Sequence, residues 1–364
     1  MVYEPVDWTV AERVAVRVAR RSAPELNTTE TDRLCRDFAE LTPVAEELVT
    51  ATTGLASLEG SARAEVTDRA GWIRANIASF RRLLTPLFER AEAEGHALGR
   101  VLPGPVAKAG RAAAGAELGA VLGWMSTRVL GQYDLLFTED ADSPGDVVYY
   151  VGPNVVSLER RHGFPANEFR LWIAIHELTH RAQFTGVPWM RRYFLDLVDR
   201  AMSMATPDTK ALAGALARTA NEIRAHRNPL AESGLVGVLA SPEQAKVLRQ
   251  VQALMSLLEG HGDTVMNRAA ADRIPGAKRF ADTLQARRDS AGGIVKLIQQ
   301  LIGMEAKLRQ YREGELFVET VEREGGLDLF SLVWEDPQYL PNLEEVRDPA
   351  LWLGRVGGRS LEIA

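Results

Sequence analysis

The sequence predicts a predominantly α-helical α+β fold that contains one small antiparallel β-sheet. Apolar residues recur at helical spacing through most of the 364 residues, as Val10, Val14 and Val18 do near the start. Two β-prone runs, Tyr133–Phe137 and Val147–Val151, flank an acidic segment rich in turn-forming residues. A hydrophobic fraction of 46% with 25% charged residues is typical of a folded chain, so these helices can enclose a sizeable core.

The first hundred residues are helical in pattern and contain no group of chemically reactive side chains. Asn27 and the two threonines after it are typical of a helix N-terminus. Glycine and proline at positions 99 and 103–105 then interrupt the pattern, and a helix rich in alanine and glycine follows. We therefore divide the chain into a helical region, 1–120, and a region that carries the chemistry, 121–364, which pack closely together.

Beyond the two β-prone runs, helical periodicity returns and continues to about Glu322. Breaks are expected at Asn228-Pro229 and at Ile274-Pro275-Gly276. The tail after Trp334, with several prolines, is predicted to be irregular.

Charge and cysteine content exclude several classes of function. The net charge of -6 favours neither a nucleic-acid nor a membrane partner. The most apolar helix, 112–125, is shorter than the roughly 20 residues that span a bilayer. With Cys35 as the single cysteine, a metal must be bound by histidines and carboxylates. The first residues do not resemble a secretory signal, so a cytoplasmic protein is expected.

The sequence His176-Glu177-Leu178-Thr179-His180 is the strongest chemical signal in the chain. Pro165 suits the first turn of a helix, and Gly186 and Pro188 suit its end, so the motif lies inside a helix. Histidines four residues apart share a helix face and can place two imidazole nitrogens about 2.0–2.1 Å from one zinc ion. Glu177 can then act as the general base for a water that zinc activates. The alternative is a pair of hydrogen-bonded core histidines.

A third protein ligand must come from a distant segment. Glu259 is the favoured candidate, and Asp263, one turn later, would orient a liganding imidazole through a hydrogen bond. Gly260 and Gly262 indicate that this helix closely approaches another element, for which the metal-binding helix is the expected partner. Glu222 and His261 remain competing ligands.

These residues resemble the zincin-like hydrolase family, some members of which are labelled as associated with biosynthesis of a deazaflavin coenzyme. The resemblance spans about Tyr133 to Val356. It rests on the histidine motif together with Val151–Asn154, Phe169–Trp172, Gln183-Phe184, Pro188-Trp189, Leu257–His261, Lys307–Tyr311, Trp334, Leu340-Pro341 and Trp352. It implies a mainly helical zincin-like fold with a small sheet, and metallopeptidase activity. With Glu259 as the third ligand, the expected enzyme is a gluzincin-like zinc metallopeptidase. The resemblance does not imply a substrate.

The expected reaction is hydrolysis of a peptide or small amide. Val147–Val151 could pair as an edge strand with an extended substrate, or it could be a core strand. Tyr311 or His261 could donate a hydrogen bond to the oxyanion or contact the substrate. The alternatives are a non-catalytic scaffold with the same fold and a hydrolase of non-peptide amides. The sequence does not predict the oligomeric state.

Overall fold

The computed structural model describes residues 4–21, 25–93, 104–135, 147–203, 242–271, 273–289 and 304–363. They pack as two compact units, Met1–Arg181 with Asp272–Ala277, and Ala182–Ala271 with Lys278–Ala364. The boundary predicted near residue 120 falls inside a helix, and the division into domains otherwise stays a prediction.

The first unit contains helices around a small sheet. Its elements in chain order are α1 (Trp8–Ala19), α2 (Thr28–Thr53), β1 (Arg63–Thr67), α3 (Arg69–Ala93), α4 (Gly104–Ser126), β2 (Gly131–Tyr133), β3 (Val147–Val151), α5 (Gly152–His162) and α6 (Ala166–Thr185), whose last turn belongs to the second unit. Asn27 caps α2 as predicted, through a reciprocal capping box with Glu30.

Small residues bring α1 and α4 into close contact. The buried residues of α1 are Trp8, Ala11, Ala15 and Ala19, whereas the valines that revealed its periodicity are half-buried. A Cβ atom on Gly119 of α4 would lie 2.3 Å from the Ala11 carbonyl oxygen. The alanine- and glycine-rich helix α4 therefore packs closely on α1 through its small residues. None of the helices in the described part of the chain could span a membrane.

The sheet is mixed and has three strands in the order β1-β3-β2. β3 pairs parallel with β1 and antiparallel with β2. The antiparallel pairing was predicted, but the partner strand is Gly131–Tyr133 and shares only Tyr133 with the predicted run Tyr133–Phe137. The sequence did not predict β1, because Arg63–Thr67 is a short strand without a long apolar run. Since β3 lies in the middle, its prediction as an edge strand was wrong. Its alternative interpretation as a core strand is confirmed, because Val148, Tyr150 and Val151 are each 0% exposed.

The second unit is helical in its described residues. It contains α7 (Met190–Ser203), α8 (Pro242–Ala270), α9 (Ala277–Asp289), α10 (Met304–Ser331), α11 (Leu343–Arg347) and α12 (Pro349–Ile363), with 3-10 turns at Leu332–Trp334 and Pro337–Tyr339. The predicted break at Ile274-Pro275-Gly276 separates α8 from α9. The break predicted at Asn228-Pro229 lies outside the described residues.

The tail after Trp334 forms short helices, whereas the sequence predicted that it is irregular. Trp352 of α12 is fully buried in a cluster with Phe317 and Val321 of α10, and its indole N–H donates to the Tyr339 carbonyl oxygen over 2.7 Å. The prolines of the tail begin or connect short helices here, so they do not prevent regular structure.

Two glycines allow α8 and α10 to touch through their backbones. A Cβ atom on Gly260 would lie 2.1 Å from the Gly314 carbonyl carbon, and one on Gly314 would lie 1.9 Å from the Ser256 carbonyl oxygen. The close approach predicted at Gly260 is therefore confirmed. Its partner is α10, so the prediction that Gly260 faces the metal-binding helix was wrong.

Candidate metal centre

Helix α6 carries the histidine motif and has the predicted ends. Pro165 precedes its first residue, and the Pro165 carbonyl oxygen accepts a hydrogen bond from the Phe169 N–H over 3.0 Å. It ends at Thr185, directly before Gly186. Phe169 and Ile175 of this helix are fully buried.

The two histidines of the motif face each other one turn apart. The Nε2 atoms of His176 and His180 are 3.2 Å apart, and both side chains are half-buried. Two nitrogens at about 2.0–2.1 Å from one tetrahedral zinc ion would stand about 3.3–3.4 Å apart. The imidazole pair therefore has the separation that a shared zinc ion requires.

Glu259 on α8 completes a group of three side chains able to bind a metal ion. One ligand atom from each of His176, His180 and Glu259 lies within 4.8 Å of the other two. Two neutral imidazoles with one carboxylate form a common ligand set of catalytic zinc, which leaves a fourth position open. The donor chemistry therefore fits zinc.

Glu177 lies against the backbone of an edge strand. It is only 7% exposed, and a Cβ atom on Gly131 of β2 would fall 2.6–2.8 Å from its Cγ, Cδ and Oε1 atoms. The pKa of the neighbouring Tyr150 phenol is raised, mainly by burial and further by the negative charge of Glu177, although a hydrogen bond with Thr42 lowers it in part. Glu177 therefore occupies a space that exists because residue 131 has no side chain.

Two buried arginines anchor α6 within the first unit. Arg181, directly after His180, is 1% exposed; it pairs with Glu46 of α2 and donates to the Gly60 carbonyl oxygen. Arg170 makes two hydrogen bonds of 2.8 Å to Glu159 of α5 and also pairs with Asp37 of α2. Removing one partner from such a buried pair is strongly destabilising, so these contacts fix the helix that carries the imidazoles.

In the second unit, Gln183 connects the last turn of α6 to α8. Its side chain is completely buried, and its Nε2 atom lies 2.9 Å from the Leu258 carbonyl oxygen and 2.9 Å from Nδ1 of His261. His261 is 4% exposed and packs beside Phe330 and Trp334. Its proposed contact with substrate stays a prediction.

The other residues predicted for the site stay predictions. Asp263 is half-buried on α8, one turn after Glu259, where it was expected to orient an imidazole. Tyr311 lies on α10, but its side chain is outside the described part of the structure. The competing ligand Glu222 also lies outside the described residues.

Sequence reasoning did not identify Gly131, Arg181 or Gln183 as residues of the site. A glycine after an apolar helix resembles any turn, and a buried arginine cannot be told from an exposed one in the sequence alone. For Gln183, the signal was its position three residues beyond His180, near the histidine face of the helix.

Comparisons with known proteins agree with this geometry. A family model described as "Zincin-like metallopeptidase" matches residues 6–353. A crystal structure described as a "putative hydrolase with a novel fold", from Chloroflexus aurantiacus, is similar with a TM-score of 0.69 and 30% sequence identity, covering 96% of this chain and 98% of that one. No curated protein matches the chain. The deazaflavin label is carried by neither match.

Proposed function

Because the chain belongs to the zincin-like metallopeptidase family, we propose that it is a zinc-dependent peptidase whose metal is held by His176, His180 and Glu259. The observation that carries this proposal is the group of three ligand atoms within 4.8 Å of one another. The similarity to a solved protein described as a hydrolase supports the reaction class. A purely structural zinc site would be expected to have four protein ligands, whereas the group found among the described residues has three.

In this proposal Glu177 is the general base. When bound, zinc polarises the scissile carbonyl and lowers the pKa of a water molecule to about 7. The Glu177 carboxylate accepts the proton of the attacking water and later passes it to the leaving amine. Its burial against β2 supports this role, because a carboxylate with a fixed position needs little reorganisation during the reaction.

An extended peptide fits the neighbouring strand better than a compact amide does. Leu130 and Asp134 hydrogen-bond to β3, through Val151 N–H to Leu130 O at 2.8 Å and Asp134 N–H to Val147 O at 3.2 Å. Because alternate residues of an antiparallel strand point to opposite sides, the backbone N–H and C=O of Gly131 point away from β3. A peptide that adds to this edge of β2 would run beside Glu177. We therefore propose that β2 pairs with the extended substrate, the role that the sequence had suggested for β3.

The test is the substitution Glu177→Gln, which removes the base but keeps the size of the side chain. We expect the purified variant to keep about one equivalent of zinc, while its hydrolysis of a mixed peptide library falls about 10²- to 10⁴-fold. The measurements are metal content by mass spectrometry and cleavage products over time.

The matched control is Glu168→Gln on the same helix. The Glu168 carboxylate accepts a hydrogen bond from the Gly276 N–H and lies nine residues before Glu177, about 13 Å along the helix axis. It should leave hydrolysis near the wild-type rate. Unchanged hydrolysis in Glu177→Gln, or wild-type protein that takes up no zinc under metal-replete conditions, would reject the proposed function.

A further inference from the structure

Gln183 is a buried polar residue to which the proposed chemistry assigns no role. It lies three residues beyond His180 on α6 and is 0% exposed. A buried amide is costly unless it is hydrogen-bonded, so its contacts indicate what keeps it in this position.

The amide nitrogen of Gln183 contacts α8 on each side of Glu259. One acceptor is the carbonyl oxygen of Leu258, directly before Glu259, and the other is Nδ1 of His261, two residues after it. The amide nitrogen carries two hydrogens, which is the number that these two acceptors require. Gln183 therefore holds the turn of α8 that presents Glu259.

The hydrogen bond from Gln183 to Leu258 also determines which ring nitrogen of His261 carries the proton. A carbonyl oxygen accepts only from a donor, so the Gln183 NH₂ group must face α8. Nδ1 of His261 then accepts, and the proton of the neutral ring is on Nε2. A side chain without an N–H donor at position 183 would break both bonds at once.

We infer that Gln183 is a positioning residue for the metal site, fixing α8 so that the Glu259 carboxylate is held at its ligand position. This inference rests on the proposed function. On its other side, α8 is held by the backbone contact of Gly260 with Gly314, which sets how closely α8 packs on α10. Gln183 adds a hydrogen bond to the Leu258 carbonyl oxygen, one residue before the proposed ligand Glu259. Zinc–ligand distances tolerate only about ±0.2 Å, so a small shift of this turn weakens metal binding.

The test is Gln183→Met, which keeps the length and approximate volume of the side chain but donates no hydrogen bond. The control is Gln244→Met on α8. Gln244 lies fifteen residues before Glu259, and its Nε2 atom likewise donates to a backbone carbonyl of another helix, that of Ala201. Zinc affinity is measured by competition with a chromogenic chelator. Cobalt(II) absorption spectra of both variants provide a second readout of the ligand geometry.

We expect zinc affinity to fall about 10- to 100-fold in Gln183→Met, the effect usually seen when a partner that orients a ligand is lost. The cobalt spectrum should change, and saturating zinc should restore hydrolysis, because Glu177 and both histidines are intact. Gln244→Met should keep the wild-type affinity within about twofold. A purely structural role would lower the stability of the metal-free protein but leave the zinc affinity of the folded form and the cobalt spectrum unchanged.

The outcomes separate this inference from the proposed function. Folded Gln183→Met that binds zinc as tightly as wild type, with the same cobalt spectrum, would overturn the role of Gln183 while leaving the peptidase proposal intact. Wild-type protein without zinc affinity would overturn both. If Gln183→Met does not fold, Gln183→Asn takes its place, because it keeps an amide but withdraws it by one methylene; the same loss of affinity is expected.

Discussion

Helices α6 and α8 both supply proposed zinc ligands, yet they do so in different ways. On α6, His176 and His180 are brought together by the helix itself, because residues four apart share one face. On α8, Glu259 is a single carboxylate whose position depends on neighbouring helices, through the Gly260 contact with Gly314 and the Gln183 bond to Leu258. Two of the three ligands are therefore placed by local sequence, and the third is placed by tertiary contacts.

The two helices should therefore respond differently to substitution. Substitutions of His176, Glu177 and His180 on α6 should act directly, because these side chains are the proposed ligands and base. Substitutions at the contacts that hold α8, including Gln183 at the end of α6, should act indirectly, through the position of the α8 backbone.

The largest effect is expected from His180→Ala, which removes one of the two ligands set by helix geometry. Structural zinc sites are worth roughly 10–16 kcal/mol, so losing one of three protein ligands should raise the zinc dissociation constant about a thousandfold or more. Chelator competition measures this directly. His162→Ala, a histidine of α5 outside the motif, should leave zinc affinity unchanged. Equal affinity of His180→Ala and wild type would contradict the ligand assignment.

A smaller effect is expected from Gly260→Ala, which tests how α8 is placed. The added methyl group would meet the Gly314 backbone at 2.1 Å, so α8 and α10 must separate. Such overpacking should lower the free energy of unfolding by about 1–3 kcal/mol and weaken zinc binding as Glu259 moves. Urea denaturation of the metal-free protein and zinc titration provide the two measurements.

Gly354→Ala on α12 is the matched control for that substitution. A Cβ atom at Gly354 would have no heavy atom within 4 Å, apart from its immediate neighbours and its own helix backbone. The gain in helix propensity should therefore raise stability by up to about 1 kcal/mol. If Gly260→Ala and Gly354→Ala changed stability in the same direction, the close contact with α10 would not control the position of α8.

The smallest effect is expected from Gly131→Ala. This substitution tests whether Glu177 on α6 depends on a tertiary contact, the space beside Gly131 of β2. The new methyl carbon would lie 2.6–2.8 Å from Cγ, Cδ and Oε1 of Glu177 and would displace the carboxylate. Because these contacts are with a side chain and not with backbone, folding should be little affected. We expect kcat to fall about tenfold, because a base displaced by a fraction of an ångström transfers protons poorly. Zinc content should not change.

The control for Gly131→Ala is Gly110→Ala on α4, where a Cβ atom would meet nothing within 4 Å. This variant should keep the wild-type kcat. Full activity in Gly131→Ala would show that the base does not depend on the space beside β2.

The sequence predicted features that follow from neighbouring residues along the chain. Helix α6, its ends, the facing histidines and the Asn27 cap all arise within a few residues, where the helical repeat and capping chemistry apply. The choice of Glu259 as a candidate ligand also came from the sequence, but with Glu222 and His261 as rivals. The prediction of an irregular tail failed because the burial of Trp352 depends on α10, which precedes it by some twenty residues.

Residues that are close together along the chain were enough to predict the helices, the imidazole pair and the family of the chain. The packing of distant segments makes β3 central and β2 an edge, and it places Glu177 in the space beside Gly131. It also brings Gln183 into contact with Leu258 and His261, on either side of Glu259 in the sequence. These features differ in range, because a helix turn is specified by residues within four positions of one another. By contrast, a strand neighbour or a backbone contact depends on segments that are tens of residues apart and meet only when the core packs.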